Sequence, residues 1–355
     1  MTEIETIKTD EKTENTSDKK YENVVKKITD GFYFLDFTYD YDIDELLNQG
    51  VSNIGKLLAH INTRYGKKKS KVKYKPGRFA CTTFNCVTRS GDTLFARNFD
   101  YKSSPCFLVR TSPKNGYQSV SMLHGNTMLY GNKYASLNSD KNADRLLLAP
   151  YVCMDGMNEK GLCIAVLEIN AKSTRQRRGK KEITTTTIIR AVLDKCATVE
   201  EAVELFSKYD ICDSLLYNYH YQIVDQSGKS VVIEYVNNEM RVIYPESVFQ
   251  YAMNFFLSED GDNSNPMGYD RRDKVEEALK LTSGCMDEDL AMKLLKSCTL
   301  NYRYKNIFWR IITVWSCVYN PSKKNLQICV NMDYKNAYRY DLLTNEFTYE
   351  ELTLQ

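Results

Sequence analysis

The residues that suggest chemistry begin with a cysteine at the start of a predicted strand. Cys81 follows the small residue Ala80 and is succeeded by two threonines. Arg97 and Asp100 lie 16 and 19 residues further on, in a segment predicted to be the partner strand of a hairpin. Cross-strand neighbours in a hairpin are in contact, so Arg97 and Asp100 are expected to reach the strand that carries Cys81.

The chain contains few histidines for a hydrolase of its length. Only His60, His124 and His220 are present, and none lies in a zinc, Ser-His-Asp or metalloprotease pattern. A histidine-free hydrolase needs another base near neutral pH, and a free α-amine, with a pKa of roughly 8, meets that need. An N-terminal nucleophile carries this amine on the attacking residue itself.

Such an amine would arise here by cleavage before Cys81. Attack of the Cys81 thiol on the carbonyl of Ala80 would form a thioester, whose hydrolysis releases residues 1–80 and leaves Cys81 with a free amine. The Ala-Cys-Thr sequence is weak support when taken alone, because most buried cysteines are small core residues.

Composition limits the classes of function. The chain has 355 residues, 43% of them apolar, which suffices for a substantial core. Forty-eight Lys and Arg against 46 Asp and Glu give a formal net charge of +2, so no global field attracts nucleic acid or an anionic membrane, and a small-molecule partner is expected. The 11 cysteines include no Cys-x-x-Cys pair, which argues against disulfides and zinc, and no cofactor is expected.

The first 80 residues are read as a leader. Residues 1–20 carry ten charged side chains and no aromatic residue, so a disordered tail is predicted. No apolar run resembles a secretory signal or reaches the ~18 residues of a membrane helix, so a cytoplasmic protein without a stable membrane anchor is expected. Within residues 21–80, apolar residues at spacings of three and four predict an amphipathic helix between Asp42 and Tyr65. A basic linker is predicted over 67–73, ending at Pro76-Gly77.

From residue 79 onward the pattern predicts strands interposed with helices. Strands are predicted at 79–87, 93–98, 151–157, 162–169, 219–224, 230–235, 312–319 and 326–332, and helices at 184–196, 198–209, 273–281 and 287–296. The two kinds of element alternate in blocks, without a strict strand-helix repeat, which indicates the α+β class.

Three segments resemble the choloylglycine hydrolase family of N-terminal nucleophile amidases. The family signature of Cys-Thr, then Gly-Arg-Asn-hydrophobe-Asp, is present at 81–82 and 96–100 with Ala96 in place of glycine, and further matching blocks lie at 155–162 and 223–235. The resemblance covers most of residues 79–335. It implies a four-layer αββα sandwich with two antiparallel sheets, an amidase domain over 81–355 and hydrolysis of a linear amide C-N bond.

The resemblance also implies roles for individual residues. Cys81 is the nucleophile and its α-amine the base; Arg97 lies against the sulfur, and Asp100 accepts a hydrogen bond from the amine. Asn254 matches the asparagine that donates to the oxyanion of the tetrahedral intermediate. Arg271 matches the late active-site arginine, with Arg272 as the open alternative.

Three features depart from the bile salt hydrolase branch. Glu168 stands where those enzymes carry a second oxyanion asparagine, and a carboxylate cannot donate unless protonated. It either orients the amine, pairs with Arg271 or is a surface residue. The 80-residue leader and the short interval between Asn254 and Arg271 also differ. Tetramers are therefore not assumed, although a homo-oligomer stays open. The leader either covers the substrate groove, stays bound as a subunit or packs as plain core.

Substrate choice is expected to depend on the walls of the acyl pocket, for which the aromatic candidates are Phe99, Tyr101, Phe107, Tyr130 and Phe255. Bile salts, long-chain N-acyl amides, acyl-homoserine lactones and penicillin V are all compatible. Two alternatives stay open: transfer of the Cys81 thioester to an amine acceptor, and a non-catalytic relative that acts as a binding protein.

Overall fold

The computed structural model of the chain describes residues 4–6, 24–66, 79–128, 145–213, 217–303 and 310–352. The predicted basic linker and the predicted pocket residue Tyr130 lie outside these residues, as does most of the predicted tail. Within the tail, Ile4–Thr6 form a short strand antiparallel to residues 24–26.

One sheet has ten strands, in the spatial order β1-β2-β3-β6-β7-β8-β9-β12-β13-β14. All its pairs are antiparallel except β3 with β6. Its strands are β1 (Ile4–Thr6), β2 (Val24–Thr29), β3 (Phe32–Phe37), β6 (Cys106–Thr111), β7 (Ser119–His124), β8 (Asp155–Asn158), β9 (Cys163–Lys172), β12 (Tyr217–Val224), β13 (Ser230–Val236) and β14 (Glu239–Ile243).

A second, antiparallel sheet has eight strands, in the order β15-β4-β5-β17-β18-β19-β20, with β16 also paired to β17. Its strands are β4 (Ala80–Val87), β5 (Thr93–Lys102), β15 (Tyr251–Ala252), β16 (Asn301–Arg303), β17 (Arg310–Asn320), β18 (Asn325–Val330), β19 (Asn336–Asp341) and β20 (Glu346–Glu351). Strands β10 (Lys181–Ile183) and β11 (Tyr209–Ile211) form a small parallel pair.

Helices cover both outer faces of the two sheets. They are α1 (Ile43–Gln49), α2 (Ile54–Arg64), α3 (Gly125–Met128), α4 (Thr185–Lys195), α5 (Val199–Ser207), α6 (Tyr269–Leu281) and α7 (Glu288–Ser297). Helices α4 and α5 pack on the first sheet, whereas α6 and α7 pack on the second, and β4 of one sheet contacts β9 of the other. This arrangement confirms the predicted α+β fold with four αββα layers.

Side chains cap the start of α5. The Thr198 hydroxyl accepts from the Glu201 amide, and the Glu201 carboxylate accepts from the Ala197 amide. The predicted hairpin is present, and β5 extends beyond its predicted end to Lys102. A tight turn joins β4 and β5, with Gly91 at φ 87°, a conformation that favours glycine.

The leader contributes directly to the main sheet, which the sequence analysis did not predict. Strand β3 pairs in parallel with β6 over six residues, from Phe32 opposite Cys106 to Phe37 opposite Thr111. The predicted single helix over 42–65 is divided in two, because the backbone at Gly50 has φ 76° and α1 ends there. Leu35 of β3, Leu46 of α1 and Leu57 of α2 are all buried in the main core.

In the part of the chain that the structure describes, we find no helix with the length and apolarity that a membrane crossing requires.

A leader that forms part of the core should contribute strongly to stability. We expect Leu35→Ala, which truncates a fully buried side chain, to lower the free energy of unfolding of the intact chain by about 2–5 kcal/mol. Leu343→Ala, at a side chain that is 65% exposed, should change it by less than about 0.5 kcal/mol. Urea unfolding measures both, and equal effects would show that the leader packs only loosely.

Candidate active site

Cys81 is the second residue of β4 and lies between the two sheets. Its side chain is fully buried, and the thiol donates to the carbonyl of Val166 on β9, with Sγ and O 3.7 Å apart. In the intact chain its backbone nitrogen is a peptide amide, which donates to Oδ1 of Asn254 at 2.8 Å. The predicted nucleophile and its nitrogen therefore have fixed partners before any cleavage.

Arg97 is on the same face of the sheet as Cys81. The register pairs Thr83 with Arg97 and Cys81 with Phe99, and side chains alternate along a strand. The Arg97 guanidinium is fully buried, lies 5.3 Å from the centre of the Phe99 ring and lowers the pKa of the nearby Cys81 thiol. Its two terminal nitrogens have no hydrogen-bond partner among the described residues. They are donors available to a negative charge at the sulfur or at a bound acyl group.

Burial outweighs the effect of Arg97 on the thiol. Removal from water raises the pKa of Cys81 to about 12, with Asp100 adding to the rise, and Arg97 and Arg271 only partly oppose it. The thiol is therefore protonated in the intact chain at neutral pH.

Asp155 holds Arg97 in place, a role that the sequence analysis missed although the residue lies in one of the matching blocks. Its carboxylate accepts from Arg97 Nε at 3.2 Å, from the indole of Trp315 at 3.1 Å and from the hydroxyl of Tyr319 at 2.5 Å. Both members of the ion pair are fully buried. With Nε bound to Asp155, the terminal nitrogens are left for the Cys81 side.

Asp100 and Arg271 form a second buried ion pair. Asp100 lies opposite Ala80 in the register, so its side chain is on the other face of β5 from Arg97. One carboxylate oxygen accepts from Thr313 Oγ1 at 2.5 Å and the other lies 3.6 Å from Arg271 Nη1. Burial raises the pKa of Asp100 to about 6, against the opposing effects of Arg271, Thr313 and Arg97.

Arg271, and not Arg272, reaches the site. Arg271 is buried and donates to the carbonyl of Cys81, to the Thr82 hydroxyl at 2.9 Å and to Asn254 Oδ1 at 2.9 Å. Its position depends on Gly268, where a Cβ would lie 2.5 Å from Arg271 Nη2. The side chain of Arg272 is partly exposed and pairs with Asp273.

The side-chain amide of Asn254 is oriented by its partners. Oδ1 accepts from Cys81 N and from Arg271, both of which can only donate, and Nδ2 donates to the carbonyl of Glu168 at 2.7 Å. In the intact chain this group therefore faces the Ala80–Cys81 peptide with its acceptor, whereas the sequence analysis expected a donor to an oxyanion.

His220 and Glu234 fix the turn that carries Asn254. His220 Nε2 contacts the carbonyl of Met253 at 2.6 Å, and its other ring nitrogen lies 3.3 Å from Glu234. The Glu234 carboxylate accepts from the amides of Leu257 and Ser258 at 3.1 and 2.7 Å. Two side chains from the neighbouring sheet thus hold both sides of the Asn254 turn.

Glu168 is buried, which excludes the open alternative of a surface residue. Its carboxylate accepts from the backbone amide of Phe79 at 3.1 Å, two residues before Cys81. The carboxylate therefore holds the segment that precedes the predicted cleavage position.

Two of the predicted pocket residues belong to an aromatic cluster beside Cys81. Phe99 stacks on Trp315 with centroids 4.1 Å apart, and Tyr101 lies edge-on to Phe99. Phe79 completes the cluster, with its centroid 5.3 Å from that of Phe99. Phe107 instead stacks on Tyr33 of the leader, and Phe255 lies edge-on to Tyr269 beside Arg271.

Among the described residues, no three His, Cys, Asp or Glu side chains converge to hold a metal ion.

Comparison with known families places this geometry in context. Residues 81–250 match the family model of the linear amide C-N hydrolases, choloylglycine hydrolase family. The match begins at Cys81 and includes Arg97, Asp100, Asp155 and Glu168. Over residues 81–250, just under half of the chain, the protein is similar to the choloylglycine hydrolase family. The match identifies a hydrolase of linear amide C-N bonds.

Solved structures share its fold. Two variants of conjugated bile acid hydrolase from Clostridium perfringens match with TM-scores of 0.53 and 0.54 at 18% and 17% identity, each over 78% of this chain and 98% of theirs. Penicillin V acylase from Agrobacterium tumefaciens matches with a TM-score of 0.44 at 16% identity, over 77% of this chain and 86% of that one. At these identities the first two support the N-terminal nucleophile hydrolase fold, and no more.

Loss of the Asp155 carboxylate should misplace the Arg97 side chain while the other side chains of the site keep their positions. We expect Asp155→Asn to lower kcat for an N-acyl amide by about 10²-fold with little change in KM, because the guanidinium loses its charged anchor. Alkylation of Cys81 in this variant, measured as a function of pH, should also shift to higher pH. A purely structural defect would not cause this change.

Asp194→Asn is the matched control, because Asp194 forms a similarly buried ion pair with Arg190, with nitrogen and oxygen 2.7 Å apart, in another part of the core. Both variants should lose stability. Equal kcat values for the two would contradict a positioning role for Asp155.

Proposed function

We propose that the chain is the precursor of a cysteine amidase that cuts its own backbone between Ala80 and Cys81. The new N-terminal Cys81 then hydrolyses an N-acyl amide. The observation that carries the proposal is the environment of one residue: the Cys81 thiol faces Arg97, its nitrogen donates to Asn254, and its carbonyl accepts from Arg271.

In the cleavage step, Cys81 Sγ attacks the carbonyl carbon of Ala80. The bond from that carbon to Cys81 N breaks, the nitrogen takes the thiol proton, and a thioester joins Ala80 to Sγ. Water then hydrolyses the thioester, which gives a carboxylate at Ala80 and restores the Cys81 thiol. Asn254 Oδ1, 2.8 Å from the nitrogen, holds it in place while it becomes an amine.

In the turnover step, the α-amine of Cys81 is the base. With a pKa of roughly 8 it takes the thiol proton at neutral pH, Sγ attacks the acyl carbon of the substrate, and the proton passes to the leaving amine. Water releases the acyl group from the thioester in the same way. The unused donors of Arg97 stabilise the charge on sulfur and on the acyl oxygen.

In this scheme Asn254 does not donate to the oxyanion. Its Nδ2 is bound to the Glu168 carbonyl, and its Oδ1 is the acceptor for the Cys81 nitrogen. We assign it to orientation of the amine, together with Arg271, which donates to the same Oδ1, and Asp100, which neutralises Arg271.

The substrate is an apolar acyl group on a small amine. The walls of the acyl site are the other aromatic rings of the cluster beside Cys81, together with Tyr219. In the intact chain the Phe79 ring lies against Phe99 and Tyr219 in this site. Bile-salt-like, penicillin V-like and fatty acyl groups are all compatible with an apolar wall, and the carboxylate of Glu168 makes a bile salt the least favoured of them.

The leader stays bound after cleavage as a second chain. Strand β3 keeps its pairing with β6, the Tyr41 hydroxyl donates to Asp194 of α4 at 3.0 Å, and Leu46 and Leu57 remain in the core. These contacts do not depend on the Ala80–Cys81 bond. The cytoplasmic location and a homo-oligomer stay predictions from the sequence.

Replacement of the nucleophile should abolish cleavage. We expect Cys81→Ala to give a folded, full-length and inactive chain, whereas the native sequence gives two fragments that begin at Met1 and Cys81. Intact-mass measurement and N-terminal sequencing decide this. Cys86→Ala, at another buried thiol of β4, is the control and should be cleaved normally. A Cys81→Ala chain that still lost residues 1–80 would assign the cut to another protease.

Cleavage should also depend on the ionisation of Asp100. Because its pKa is raised to about 6, the carboxylate is protonated below that pH and the ion pair with Arg271 weakens. The cleavage rate should therefore rise with pH through about 6, and Asp100→Asn should be about tenfold slower or worse and lack this step.

Asp194→Asn is again the control, since burial also raises the pKa of Asp194 to about 6 while the residue lies outside the site. This variant should keep the pH step. A step that disappears in Asp194→Asn and persists in Asp100→Asn would contradict the assignment.

A further inference from the structure

The two residues before Cys81, Phe79 and Ala80, are buried and have specific contacts at the site. Phe79 is 5% exposed and Ala80 is 3% exposed. The Phe79 ring stacks on Tyr219 with centroids 5.7 Å apart, lies 5.3 Å from Phe99 and is edge-on to Tyr101 at 6.3 Å. Its backbone amide donates to the Glu168 carboxylate at 3.1 Å.

These residues lie on the acyl side of the proposed cut. The inference rests on the proposed function, in which self-cleavage passes through a thioester. In that thioester, Cys81 Sγ carries the acyl group that ends in Phe79-Ala80. Turnover passes through a thioester on the same sulfur that carries the acyl group of the substrate. Both thioesters are hydrolysed by water at the same position, so a site competent for the first reaction accepts Phe79-Ala80 as an acyl group.

We propose that the substrate resembles the end of the leader: an N-acylated dipeptidyl amide with an aromatic residue followed by a small one. The ring enters the cluster of Phe99, Tyr101 and Tyr219, and the small residue occupies the position of Ala80. The amide N–H of the aromatic residue donates to Glu168. The amine released from this acyl group replaces the Cys81 nitrogen as leaving group.

Glu168 gives the proposal its chemical selectivity. A carboxylate can only accept, and a hydrogen bond from an amide to a charged acceptor is stronger than one between neutral groups. A fatty or steroid acyl group has no N–H at that position, and its binding would forfeit this hydrogen bond at a buried carboxylate. The acidic residue thus favours a peptide-like acyl group over a hydrocarbon one.

The ring cluster selects for shape. Stacked and edge-on arrangements of the kind seen for Phe79 are specific to a planar ring, and an alkyl chain can reproduce the burial but not the geometry. Removal of the ring should therefore reduce turnover separately from removal of the N–H.

The test uses the mature two-chain enzyme and four fluorogenic amides of aminomethylcoumarin. Acetyl-Phe-Ala amide carries the ring and the N–H; 3-phenylpropanoyl-Ala amide keeps the ring and lacks the N–H; acetyl-Ala-Ala amide keeps the N–H and lacks the ring. Decanoyl amide reports amidase activity as such. We expect kcat/KM for acetyl-Phe-Ala amide to exceed that of each of the other three by tenfold or more.

A variant separates the contribution of Glu168. In Glu168→Leu the ratio of kcat/KM for acetyl-Phe-Ala amide over 3-phenylpropanoyl-Ala amide should fall toward one, whereas Glu168→Gln, whose side-chain oxygen still accepts, should keep part of it. Should Glu168→Leu not mature, the native enzyme and the four substrates decide alone.

The outcomes distinguish this inference from the function on which it rests. A cleaved enzyme that hydrolyses decanoyl amide but prefers neither the ring nor the N–H overturns the inference and leaves the amidase proposal intact. A chain that keeps its Ala80–Cys81 bond and hydrolyses none of the four amides overturns the proposed function itself.

Discussion

The antiparallel register of β4 with β5 places Cys81 opposite Phe99 and Ala80 opposite Asp100. Because side chains alternate across a strand, this register puts Arg97 on the thiol side of the sheet and Asp100 on the other side. A slip by one residue would exchange the two faces and bring Asp100 to the sulfur, where a second negative charge would oppose the thiolate. The site therefore depends on a pairing that the Gly91 turn sets ten residues away from Cys81.

Each face of the sheet carries its own buried ion pair. Arg97 pairs with Asp155 between the sheets, and Arg271 pairs with Asp100 beneath α6 and α7. Buried charges are costly unless paired and hydrogen-bonded, and here the carboxylates also accept from Trp315, Tyr319 and Thr313. Burial keeps the pKa of the Cys81 thiol high in the intact chain, and the two arginines only partly oppose it.

The parts of the site that could be predicted from the sequence are local ones. The Ser90-Gly91-Asp92 turn fixes a hairpin, and a hairpin brings Arg97 and Asp100 to the strand that carries Cys81 by short-range geometry alone. The role of Asp155 arises from packing between sheets, across 58 residues of chain, and has no local signal. Arg271 and Arg272 are neighbours on a helix and point about 100° apart, so only the packing of α6 decides which is buried. The orientation of Asn254 likewise depends on His220 and Glu234 from the other sheet.

The strand pairing of the leader has no local signal in the sequence, for a related physical reason. The residues 24–37 form two short strands whose stability comes from pairing β3 in parallel with β6, about 70 residues away, and such a partner cannot be read from local periodicity. This non-local pairing also explains how one segment can have two fates after cleavage. Strand β3 and helices α1 and α2 are held by the pairing with β6 and by the core. Phe79 belongs to the same core cluster and is also bound by Glu168, and Ala80 is held by its pairing with Asp100 and by the bond to Cys81. In the proposed cleavage, only these last two residues must leave for an acyl group to enter, so the proposed activation needs local release at the site and no dissociation of the leader.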